Sequence, residues 1–188
     1  MVNKSFLVVL MALMMSVAGN AYENKIRLSA GFPRVNSFEY QRALNNVFPN
    51  LSAYINHGSG NYELESINTK VEGISLGARF KIPFLGSLGL GYAVYDVNYQ
   101  YNQSESLNGI EVGSTVNVRG TFSGPLLDYL YEFGLGPFVI GFSSGMLIAE
   151  PTITATVGGT KIDSDDVTQG ATKIKALPQL SFHVGYAF

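Results

Sequence analysis

Ser181–Phe188, SFHVGYAF, ends on an aromatic residue, with Phe182, Val184 and Tyr186 at every second position before it. Side chains two apart share one face of a strand, so these four predict one apolar face running to the last residue. An ordinary terminus frays and gains nothing from an exposed aromatic. A strand presenting its final side chain to an apolar medium does.

The same period of two recurs along the chain. In Asn24–Phe32 the apolar set is Ile26, Leu28, Ala30 and Phe32; in the segment from Val71 it is Ile74, Leu76, Ala78, Phe80 and Ile82. Leu88, Leu90, Tyr92 and Val94 continue it, as do Phe138, Ile140, Phe142, Met146 and Ile148. Val116, Val118 and Phe122 are expected on the apolar face, against Asn117, Arg119 and Thr121. The opposite faces carry mostly Gly, Ser, Thr and single cations, as the inside of a narrow barrel would.

Composition points the same way. Charged residues make up 14% of the chain and hydrophobic ones 46%, against roughly 25% charged in an ordinary soluble domain. There is no cysteine, so no disulfide scaffold, and no basic run that would suit nucleic acid. Residues 1–21 have the layout of a secretory signal peptide: Lys4, an apolar core from Phe6 to Val17, then Gly19-Asn20-Ala21. Its apolar core is too short to span a bilayer as a helix. Cleavage after Ala21 removes Lys4 alone among the charges and takes the net charge from −2 to −3. An exported, charge-poor chain without long apolar helices predicts a closed sheet in lipid. The expected architecture is all-β: an antiparallel transmembrane barrel of eight strands over 22–188.

Six strands are plain, and two parses supply the rest. One reads Leu126–Phe133 and Pro151–Val157 as separate strands, with turns at 83–86, 123–125, 134–137 and 150–151. The other fuses 112–133 into one long strand broken at Gly124-Pro125 and puts a hairpin turn at Gly158-Gly159. The polar stretches 102–111 and 158–172 belong outside the bilayer. Within the long insertion 33–69, Asn36–Phe48 reads as a short helix: Asn36 caps, Glu39 reaches back, and Phe38, Leu44 and Phe48 share a face until Pro49. Such a helix would serve as a lid or plug, or pack on the rim.

With its final aromatic, the alternation before it and its Gly-x-x-aromatic ending, Val184, Gly185, Tyr186 and Phe188 resemble the assembly signal of Gram-negative outer-membrane barrels. The chain as a whole resembles the small eight-stranded barrels typified by the OmpA membrane domain and OmpX. A weaker likeness to the OmpW family rests on NKIRLSAGF and VGYAF. The resemblance implies the bacterial outer membrane, with its lipid and lipopolysaccharide as surroundings and the barrel assembly machinery as a partner during insertion. Host or envelope ligands at the surface loops are further candidate partners. It transfers no activity.

Inward charges are the first candidate site: Arg27, Arg79, Lys81, Arg119, Asp128 and Glu132 all fall on the expected lumen face. They serve either a conducting lumen or a salt-bridged, closed one. In eight strands the side chains about fill the interior, which favours closure. The second candidate is His57 and Ser59, two apart, with Glu63 or Glu65 to orient the base. That pattern is similar to the His-x-Ser of outer-membrane lipid A deacylases, but there it lies in a later strand. His183 is expected to be an inert inward or rim residue. Two histidines and no cysteine offer no transition-metal site, and KIDSDD (161–166) lacks the glycine and closing glutamate of a calcium loop. No cofactor is expected. The leading expectation is a non-enzymatic envelope or adhesion protein; the alternatives are a narrow channel for small hydrophobic or ionic solutes, and a lipid A-modifying enzyme.

Overall fold

A computed structural model describes residues 23–45, 47–64, 67–102, 115–157, 160–162 and 175–188. Along it run β1 (Asn24–Phe32), β2 (Asn36–Ala43), β3 (Leu51–Leu64), β4 (Ile67–Ile82), β5 (Gly86–Asn102), β6 (Thr115–Leu135), β7 (Phe138–Ile148), β8 (Glu150–Val157), β9 (Thr160–Ile162) and β10 (Ala176–Ala187). Every pairing is antiparallel, and β1 joins β10 while β5 joins β6. The ring therefore closes through β1, β2, β3, β4, β5, β6, β7 and β10, and closure removes the exposed edges that hydrocarbon cannot satisfy. It is an eight-stranded antiparallel barrel.

β7 and β8 are two halves of one strand. Both pair with β6 in a single register, Ser123↔Glu150 above and Leu126↔Leu147 below. The interruption falls opposite Gly124 and Pro125, where proline has no N–H to give. So β6 runs unbroken through the turn expected at 123–125, and the turn expected at 150–151 is strand as well. The fused parse describes this region, with β8 pairing to β9 across 158–159. The tight turns at 83–85 and 136–137 fall within the expected 83–86 and 134–137. The polar stretches at 103–111 and 163–172 and the signal segment 1–21 lie outside the described residues.

Asn36–Ala43 is a strand, not a helix. It pairs with β1 (Leu28↔Phe38) and β3 (Glu39↔Asn56), supplying one of the ring's eight members. Its helical look came from Phe38, Leu44 and Phe48. Only the last two lie in helix-like geometry, a bend in which Phe48 N–H donates to Leu44 O. Both neighbouring strands offered β2 a ladder, and tertiary pairing overrode the local pattern.

Outward positions of the ring form an apolar belt. Leu90 is 68% exposed and Phe182 69%, with Leu28, Leu76, Phe80, Leu127, Ile140, Met146 and Val184 around the circumference. At the end carrying residues 24 and 188, Tyr131, Phe133, Phe138, Tyr186 and Phe188 make ring contacts with one another. That is the aromatic girdle expected where hydrocarbon meets headgroups. At the far end the belt stops abruptly: outward Ile74 and Val94 pair, and the next outward pair is Glu72 and Asp96. β3 to β6 and β8 continue past this line, whereas β1 and β2 turn back at 33–35. The barrel thus carries a one-sided, polar-faced extension.

Candidate functional site

Inside the barrel the charged side chains make a continuous circuit that starts and ends on β6. Glu132 on β6 accepts from Arg27 Nε on β1 at 2.6 Å, and Arg27 Nη1 reaches Glu39 Oε1 on β2 at 2.5 Å. Arg79 on β4 takes the same carboxylate with both ends of its guanidinium, at 2.5 and 2.9 Å. Its Nε then returns to Asp128 Oδ2 on β6, 2.5 Å away. In the eight-membered ring β2 stands four strands from β6 in either direction, so the circuit bridges opposite walls. Arg27 is 2% exposed and Arg79 4%. Buried ions of this kind persist only when paired and hydrogen-bonded.

The surroundings add further partners, although Arg27 Nη2 is buried without a hydrogen-bond partner among the described residues. Lys25 Nζ reaches Glu132 Oε2 at 2.9 Å, and Asn56 Nδ2 donates to Glu39 Oε2 at 3.3 Å. The Arg79 guanidinium lies 3.9 Å from the centroid of the Tyr54 ring, a cation–π contact in a site with little water. From the 33–35 turn Arg34 drops inward, donating to Asn56 Oδ1 at 2.9 Å and lying 5.0 Å from the Tyr95 ring centroid. His183 Nε2 stands 3.6 Å from Glu132 Oε1, too far for a hydrogen bond.

Glycines make room for these groups. A Cβ on Gly89 would collide with the Asp128 carboxylate, and one on Gly73 with the Tyr95 ring. Beyond the ionic circuit, Ala93, Tyr95, Leu126, Leu147 and Ala149 form a buried apolar layer, joined by Phe122 and Leu177. What is left at the circuit is a cavity of about 30 Å³, room for about two waters. Toward the termini a vestibule of about 680 Å³ opens, lined in part by Lys25, Gln41, Ser52, Lys81 and Glu132.

Of the six charges expected in the lumen, Arg27, Arg79, Asp128 and Glu132 meet in the circuit. Lys81 has the inward phase but sits exposed at the mouth. Arg119 is a correction. It lies on the outer face, its Nε donating to Asn98 Oδ1 at 2.8 Å. Val118 and Phe122 share the inward phase of Asp128, and Asn117, Arg119 and Thr121 point outward. The alternation is right and its sign is inverted, because this half of β6 lies past the apolar belt, where the outer face is polar.

Glu39 is the residue the sequence pattern misplaces, assigned to a helix cap although it is the shared acceptor of two arginines. The signal was present in Ser37, Glu39 and Gln41 alternating with Phe38 and Tyr40. His57 and Ser59 do share a face of β3, but it is the outer one. The contact His57 makes is to Glu72 Oε1, at 3.7 Å. Among the described residues no hydrogen bond joins His57 to Ser59 or to Glu63. Glu65 lies outside the described residues. Val184 and Tyr186 point outward from β10, Phe188 stands exposed just past its end, and Gly185 opposes Arg27 inside. Asn24 and Phe188 exchange backbone hydrogen bonds at 3.0 and 2.8 Å, which carries the β1–β10 seam to residue 188.

A closed antiparallel barrel with an apolar outer belt and an ion-paired interior defines the class of this molecule. Neither a protein-family model nor a curated protein sequence matches the chain. Among solved structures it is similar to Acinetobacter baumannii CarO2, with a TM-score of 0.55 and 13% identity over 90% of this chain and 100% of that one. It is likewise similar to A. baumannii CarO, with a TM-score of 0.53 and 12% identity over 90% of this chain and 98% of the other. At such identities the likeness is one of fold.

Proposed function

We propose that the chain is an integral outer-membrane barrel of a Gram-negative bacterium, with a closed lumen and a non-enzymatic envelope or surface-interaction role. Export follows cleavage after Ala21, and the barrel assembly machinery reads Val184, Gly185, Tyr186 and Phe188. The observation that carries the reading is the belt: a closed ring with large apolar side chains outside and charges inside is inverted for water and suited to lipid. In this reading the end bearing the termini faces the periplasm and the tall polar extension faces the cell surface, which the tight turns at 83–85 and 136–137 beside the termini support.

The wall-to-wall circuit weighs against the channel alternative. An ion would have to displace Arg27 or Arg79 from carboxylates already satisfied, in a gap the size of two waters. Two measurements test the reading together. Unboiled protein should migrate differently from boiled protein in SDS gels and fractionate with outer membranes. In planar bilayers it should show no conductance steps; discrete steps would reinstate the channel.

A further inference from the structure

Past the belt, the outward side chains of the tall strands do not splay into solvent separately. Residues from β3 across to β8 line one open groove of about 940 Å³. Its floor follows the lateral register of the strands: Asn61 opposes Lys70, Lys70 opposes Asn98, Asn98 opposes Arg119 and Arg119 opposes Thr154. A strongly twisted sheet is saddle-shaped, so its outer face can be concave along one diagonal. The barrel half of the same strands is concave inward.

The lining has a definite chemistry. Carboxamides and hydroxyls dominate, Asn117 among them, with Lys70 and Arg119 as the charged members; at one edge the Glu63 carboxylate accepts from Asn61 and Asn68 Nδ2 at 3.4 and 3.5 Å. Glu72 and Asp96 lie one row nearer the belt, where Asp96 accepts a hydrogen bond from Thr121 at 2.7 Å. Carboxamides present a donor and an acceptor side by side, matching the adjacent hydroxyls of a sugar. Arginine and lysine add charge-assisted bonds to phosphate.

We infer that this groove binds the phosphorylated oligosaccharide headgroup of a glycolipid in the same membrane leaflet. The source follows from position: the Asn98–Arg119 row lies two outward residues beyond the last apolar pair, Ile74 and Val94. That is the height at which a lipid-borne sugar stands beside the barrel. The inference rests on the membrane orientation proposed above.

The test uses the full barrel in detergent micelles, titrated calorimetrically with deacylated lipopolysaccharide core oligosaccharide, with and without its phosphates. Micelles remove any need for a membrane, and gel migration independently reports the fold, so failure of the site is separable from failure of the membrane reading. The phosphorylated form should bind, and the Lys70→Gln/Arg119→Gln double variant, with unchanged gel migration, should bind at least about tenfold more weakly. Equal binding of the dephosphorylated form, an unaffected double variant, or no binding by folded protein would overturn the site. Tighter binding of a soluble sulfated glycan would overturn the glycolipid as its source.

Discussion

Arg79 meets Glu39 as a parallel two-bond pair, Nη1 on Oε1 at 2.5 Å and Nη2 on Oε2 at 2.9 Å. The same carboxylate also takes Arg27. One side chain on β2 thus pairs with cations from β1 and β4, and Asp128 and Glu132 on the opposite wall supply the remaining negative charge. Coulomb attraction in such a site about offsets the desolvation of its members, so the network's net contribution is modest. Its removal piece by piece is not.

Glu39→Ala leaves two guanidiniums buried without their shared acceptor. The loss should be about 3–5 kcal/mol in urea unfolding of the detergent-refolded barrel. A change under about 1 kcal/mol would mean that water enters the lumen and screens both arginines, as it does at exposed pairs.

Gly73 and Tyr95 occupy one cross-strand space inside the wall. Gly73→Val should lower the fraction of heat-modifiable, folded barrel, at a cost of about 1–3 kcal/mol. Tyr95→Ala in the same chain should restore much of that fraction, since it vacates the space the valine needs. Additive defects would show that the two positions do not share it.

The belt ends between the pairs Ile74–Val94 and Glu72–Asp96. Leu90→Arg, mid-belt, should destabilise the barrel in bilayers by about 2–4 kcal/mol. Thr154→Arg, outward on the extension, should change stability by about 0.5 kcal/mol or less. Equal effects in lipid vesicle unfolding would contradict the assigned boundary.

Deleting Phe188 removes the backbone pairing with Asn24 at the seam and an aromatic from the girdle. Export should continue, and barrel levels in the outer membrane should fall, seen as unfolded protein accumulating in the periplasmic fraction. Normal membrane levels would exclude a role for Phe188 in assembly.

On the outer face, His57 stands beside Glu72 without bonding Ser59. Overproducing the protein should leave lipid A masses unchanged, and Ser59→Ala should give the same spectrum. A mass change lost in the variant would establish an esterase or acyl-transfer activity.

The sequence by itself determined the phase of most strands and the closed, outward-apolar sheet they form. Alternation at Ile26–Phe32, Ile74–Ile82 and Phe182–Phe188 is a local property of the pleat, and it puts the apolar side chains of every such strand on one face. The positions of Leu127, Tyr129 and Phe133 against Asp128 and Glu132 were legible for the same reason.

Tertiary structure decided three things that periodicity cannot carry. It made β2 a strand, because two flanking ladders outweighed a local helical pattern around Phe38, Leu44 and Phe48. It set the sign of β6 above Gly124, since alternation separates two faces but does not say which one turns outward once a strand runs past the apolar belt. And it made Glu39 the centre of the lumen, because its partners Arg27 and Arg79 come from other strands and meet it only when the ring closes.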